Sequence, residues 1–186
     1  MHIDNADPGE IAALREAFGV DDGGASALGW AAVRAFEAEH GIVLPEPYRT
    51  FVAEVTDGSH QGPPSCGLVG LAALPSDWPD DGAKRDPGKP FPLTETWVWE
   101  ADEDAFDDPE AVIEQVIDHG SVVLGTDGCA MNWHLVVTGP MRGHIWQVTD
   151  VGALPFGAPF GHTTAEPGFA GWVRHWAAGK EWFDAG

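Results

Sequence analysis

Apolar and polar positions change period twice along residues 121–150, and the rest of the chain is read around that stretch. Val122, Val123 and Leu124 form a short apolar run that stops at Gly125-Thr126-Asp127-Gly128, where Asp-Gly carries turn chemistry. From Met131 the pattern alternates, with Met131, Trp133, Leu135 and Val137 on one side and Asn132, His134, Val136 and Thr138 on the other. A period of two predicts a half-buried antiparallel strand with one apolar face. Gly139-Pro140-Met141-Arg142-Gly143 then turns the chain, and residues 145–149 return with Trp146 and Val148 on one face. Three strands and two turns are predicted, forming a small sheet for amphipathic helices to cover.

Helical spacing flanks this sheet. Asp7 is placed to cap a first helix, with Pro8 at its first position, Glu10 completing a capping-box pattern, and Ile11, Leu14 and Phe18 on one face up to Gly19. A second helix, capped by Ser26, carries Trp30, Val33 and Phe36 and ends at His40-Gly41. Pro47 starts a third, in which Tyr48, Phe51, Val52 and Val55 recur at helical spacing and Asp57-Gly58 closes the element. Asp108-Pro109-Glu110 opens a fourth, with Val112, Ile113, Val116 and Ile117 inward and Gly120 at its end. The last puts Phe169, Trp172, Val173 and Trp176 on one face and stops near Gly179. A further strand is predicted over residues 94–100, where Thr94, Thr96 and Val98 alternate with Glu95, Trp97 and Trp99. Residues 75–92 and 152–168 have loop composition. The reading is one α+β domain over residues 1–186, with a helix and loop at 1–25 and a loop-rich acidic insertion at 75–110.

Composition narrows the function classes. A chain of 186 residues, 44% hydrophobic, with nine Trp and nine Phe, suffices for one well-buried core. No apolar window has the length of a membrane span, and no basic-then-apolar leader opens the sequence. Cys66 and Cys129 make no disulfide framework, which fits a reducing compartment, so a cytoplasmic protein without a membrane partner is expected. Nine Lys and Arg against thirty Asp and Glu give a net charge of −21. Such a field repels phosphate backbones, so no nucleic-acid partner is expected, and it attracts a basic protein. The same charge also serves solubility.

Candidate chemistry is sparse. Asp127, Cys129 and His134 contain the residue types of a nucleophilic centre, but a Cys beside a turn is more often a small core residue. Among the histidines, His134 and His144 are placed as neighbours across the hairpin on its polar face, yet two imidazoles do not make a zinc site, and no metal is expected. Residues 139–143 lack the helix and lysine of a phosphate-binding loop. Asp102, Glu103, Asp104, Asp107, Asp108 and Glu110 form the best site candidate, a surface for a basic partner. The competing reading is a solvated loop whose Asp108 and Glu110 suit a helix N-terminus. The spacing is not that of an EF-hand. Trp78, Trp97 and Trp99 are read first as core.

The sequence Gly41-Ile42-Val43-Leu44-Pro45-Glu46-Pro47-Tyr48-Arg49-Thr50-Phe51, followed by Asp57-Gly58, resembles the opening motif of the SMI1/KNR4 (SUKH) superfamily. Leu124-Gly125-Thr126-Asp127-Gly128-Cys129, the turn through Gly143, the Ile145-Trp146 strand and the closing Trp172 helix are similar to that family's second half. Ala130 departs from a position where the family often has glycine, and the acidic segment is outside its common pattern. The resemblance implies an α+β fold, an antiparallel or mixed sheet covered by helices from both ends of the chain, and no catalytic centre or cofactor. It further implies a bacterial immunity protein that neutralises a cognate toxin by stoichiometric binding. A regulatory or scaffold module binding a host protein is the alternative. Leu44, Pro45, Tyr48, Phe51, Asp57, Gly58, Gly125, Asp127, Gly128 and Gly143 are then core and turn makers.

Overall fold

The computed structural model describes residues 6–20, 26–78, 82, 84–157, 165–180 and 182, with the side chain of Glu103 outside that description. In chain order the elements are α1 (Pro8–Ala17), α2 (Trp30–His40), α3 (Tyr48–Glu54), a 3-10 turn (Glu103–Ala105), α4 (Pro109–Asp118), β1 (Ser121–Thr126), β2 (Asn132–Val136), β3 (Ile145–Val148), β4 (Ala153–Pro155) and α5 (Phe169–Ala177). The class is α+β. The sheet is an antiparallel meander, β1-β2-β3-β4, in which His134 faces Val123 on one side and Trp146 on the other. Its first three strands lie where the alternation placed them.

Local chemistry explains the helix boundaries. The Asp7 carboxylate accepts the N–H groups of Gly9 and Glu10 at 2.9 and 3.1 Å, which fixes the start of α1. Asp108 does the same for α4 by accepting from Ala111 N–H at 3.2 Å. Helix α2 begins differently from the expected Ser26 cap. Its N-cap is Gly29, with no side-chain bond, while the Ser26 carbonyl accepts from Asp57 N–H at 2.8 Å. Ser26 therefore belongs to the junction with the end of α3. Helix α3 itself ends at Glu54, three residues before the Asp57-Gly58 turn.

The sheet is buried on both faces, which the expected apolar-in, polar-out pattern missed. One face (Val122, Leu124, Trp133, Leu135 and Ile145) packs with Leu14 of α1, Tyr48 and Phe51 of α3, and Phe169 and Trp172 of α5. The other (Val136, Trp146 and Val148) packs with Phe91, Leu93, Trp97, Trp99 and Val116 of α4. Residues assigned to a polar face thus meet a second apolar layer. The cover comes from residues 91–99, and the strand expected over 94–100 does not form. Trp97 makes a single bridge to Ala153, with its N–H 3.1 Å from the Ala153 carbonyl and the reverse bond at 2.8 Å. The chain then turns, since Ala101 and Asp102 N–H both bond back to the Val98 carbonyl at 3.0 Å. Trp97 and Trp99 keep the period of two, but no neighbouring strand supplies a ladder. The Gly/Pro-rich segment after Gly152, expected to be all loop, contributes β4.

Candidate functional site: the acidic segment before α4

The acidic cluster is built outward from buried tryptophans. Trp97 donates its indole N–H to the Asp102 carbonyl at 3.1 Å, and Phe106 packs edge-on against the Trp97 ring at 4.6 Å. Trp99, also buried, donates to the Asp150 carbonyl at 2.7 Å. These contacts pin both flanks of the 3-10 turn, so the carboxylates project from an anchored scaffold. Asp102, Asp104, Asp107, Asp108 and Glu110 are all exposed, as is Phe106. A groove of about 510 Å³ beside them is lined by Trp99, Pro109 and Ile113 together with Glu100, Asp107, Asp108 and Glu110. Four carboxylates next to an indole and an aliphatic side chain suit a long cationic side chain, which needs apolar contact for its stem and negative charge for its head.

Of the expected set, the groove brings Asp107, Asp108 and Glu110 together, and Asp102 and Asp104 stand outside its lining. Glu100 was missed because it was read as the end of a strand. Asp108 divides its role, since its carboxylate also caps α4. Among the described residues, seven cations make contacts elsewhere. Arg15 bonds the Glu54 carbonyl at 2.8 Å, Arg142 bonds the Val43 carbonyl at 2.8 Å, and Arg34 lies 5.7 Å over Trp30. Arg49 pairs with Glu37, Lys89 with Asp86, Arg174 with Glu166, and Arg85 bonds the Ile117 and Ser121 carbonyls. None of these contacts reaches residues 102–110.

The other candidates separate. Asp127 accepts the Ser65 N–H and the Trp133 indole N–H, both at 2.7 Å, and so staples a turn. Cys129 is exposed at that turn, which removes both a triad and the expected core role. His134 is fully buried, with Nδ1 2.9 Å from Ser121 Oγ. This Ser–His pair was not anticipated, because the two residues lie on different strands. Neither side chain is exposed to a substrate. Burial, and then the charge of Arg85, hold His134 well below the usual histidine range, so the ring is neutral. The expected cross-hairpin pairing of His134 with His144 does not form: His134 lies opposite Trp146, and His144 is half-buried at the turn, where burial lowers its pKa. Among the described residues no group of three or more His, Cys, Asp and Glu is arranged for a metal ion.

The motif residues divide between the core and partly buried turns. Leu44, Pro45, Tyr48 and Phe51 are buried, and the Tyr48 and Phe51 rings lie 5.0 and 5.1 Å from Phe169. Burial, with the charge of Asp57, pushes the Tyr48 phenol well above its ordinary pKa. Asp57 accepts Leu71 N–H at 2.7 Å, Gly58 passes close to Leu68 and Gly70, and Gly143 lies against Pro45. Gly58, Gly125, Gly128 and Gly143 all have positive φ. A buried ion pair was overlooked: Glu37 takes Arg49 through two bonds at 2.7 and 2.9 Å and the Leu44 N–H at 2.9 Å. Burial would raise the Glu37 carboxyl, but these bonds and the charges of Arg49 and Arg34 hold it below its ordinary value.

Compared with known protein families, with curated proteins and with solved structures, the chain matches none of them. No helix among the described residues is long and apolar enough to cross a membrane.

Proposed function

We propose that this chain is a non-enzymatic binding protein that neutralises a basic partner by covering it, most plainly a bacterial toxin in the manner of the SMI1/KNR4 immunity proteins it resembles. The observation that carries the reading is the anchored acidic segment, with Glu100, Asp107, Asp108 and Glu110 around a groove lined by Trp99 and Ile113. Its backbone is held in place by Trp97 and Phe106, so little ordering is required on binding. The net charge of −21 adds long-range steering. Inhibition would be steric and electrostatic, over an interface of about 1,600 Å² in total. A host regulatory partner would meet the same surface and is separated from a toxin only by identity.

The test is a calorimetric titration of the product of the neighbouring gene with this chain at two salt concentrations. One-to-one binding that weakens with salt is expected. Binding indifferent to salt removes the acidic surface from the account, and no binding removes the toxin reading.

A further inference from the structure

The fold brings two exposed thiols from distant parts of the sequence onto adjacent loops. Residues 64–69 run antiparallel along the outer edge of β1: Cys66 N–H bonds the Thr126 carbonyl at 3.2 Å, and Val69 N–H bonds the Leu124 carbonyl at 2.8 Å. The approach depends on Gly125, where a Cβ would lie 2.4 Å from the Gly67 carbonyl oxygen and 2.6 Å from Pro64 Cγ. Next to Cys66, the Ser65 N–H bonds Asp127 Oδ1, which ties this segment to the β1–β2 turn. Cys129 lies in that turn. Met131 N–H closes on the Gly128 carbonyl at 3.0 Å, leaving Cys129 and Ala130 as the central pair with φ of 52° and 59°. Those left-handed positions ordinarily take Asn or Gly, so the tip holds backbone strain. Both thiols are free and exposed.

We propose that Cys66 and Cys129 form a reversible intramolecular disulfide, closed by exchange with a small-molecule disulfide of the glutathione type. One protein thiolate attacks the small disulfide, forming a mixed disulfide and releasing one small thiol. The second protein thiolate then attacks the protein sulfur of that mixed disulfide and releases the other small thiol. The protein loses two protons and two electrons, which reduce the small disulfide to two thiols. The bond latches the segment covering the β1 edge to the hairpin tip, independently of any partner at the acidic surface. Sequence alone gives no hint of it, because nothing in the spacing of the two cysteines brings them together.

The experiment equilibrates the full chain, dilute, in glutathione redox buffers, then quenches with acid, alkylates, and reads intact mass and non-reducing peptide maps. The wild type is expected to lose both thiols as a monomer, with one cross-linked peptide pair holding Cys66 and Cys129 and an effective molarity above about 1 mM. Cys66→Ser and Cys129→Ser are each expected to carry a single glutathione adduct. Independent adducts on both wild-type cysteines, cross-links between chains, unreacted thiols, or an effective molarity below about 1 mM would each overturn the proposal.

Discussion

At the scale of single residues, burial sets the cost of His134 and of the Glu37–Arg49 pair. His134 is neutral in the folded protein because it is fully buried and Arg85 is near. An unfolded histidine gains a proton near pH 6.5, so with the folded pKa depressed the unfolded state binds more protons below that pH. His134 therefore contributes full stability above about pH 6.5 and loses it as pH falls, with a slope approaching about 1.4 kcal/mol per pH unit. Urea melts at pH 7 and pH 5.5 should show His134→Gln with a shallower pH dependence than the wild type; identical slopes would contradict the buried neutral ring. The second arrangement is Glu37–Arg49, with side chains 8% and 11% exposed. Arg49→Met leaves a buried carboxylate unpaired and should cost about 3 kcal/mol by chemical denaturation. A loss below about 1 kcal/mol would show that Glu37 finds water instead. Neither arrangement was legible in the sequence. A histidine in a polar-patterned position gives no sign that its face is covered, and Glu37 on a helix looks like any solvent-facing acid.

At the scale of elements, legibility followed local information. Helices α1 and α4 announce their starts through Asp7-Pro8 and Asp108-Pro109, and α3 and α5 through apolar spacing, so each was placed near its observed position. The strands β1 to β3 were visible as alternation and turns. Residues 94–100 alternate equally well but meet β4 only through the Trp97–Ala153 bridge before the chain turns back on Val98, and periodicity does not report where pairing stops. The short β4, rich in Gly and Pro at its flanks, carries too few residues to show a period. What holds the β1–β2 turn is Asp127, through Ser65 and the Trp133 indole. Asp127→Ala should remove two charge-assisted bonds and destabilise by about 3 kcal/mol, with a shift in Trp133 fluorescence. A variant within about 0.5 kcal/mol of wild type would assign the turn to its backbone bonds alone.

For the whole molecule, charge separates from structure. The cations described above are engaged by carbonyls, carboxylates and rings away from residues 102–110, while Asp102, Asp104, Asp107, Asp108 and Glu110 face solvent on a scaffold pinned by Trp97 and Trp99. The acidic residues were legible as a cluster. Their groove was not, because Trp99 and Ile113 come to it from opposite sides of the 3-10 turn. Replacing Asp104, Asp107 and Glu110 by their amides should leave the melting profile nearly unchanged and slow association with a basic partner at low salt by about tenfold. Unchanged association would assign the surface to solubility. The central claim is neutralisation of a partner by this face, and the most direct measurement is growth of cells expressing the neighbouring gene's product with and without this chain. Rescue by the wild type, reduced for the chain with Asp104, Asp107 and Glu110 amidated, is the predicted result. Failure of the wild type to rescue, or full rescue by that variant, would contradict the account.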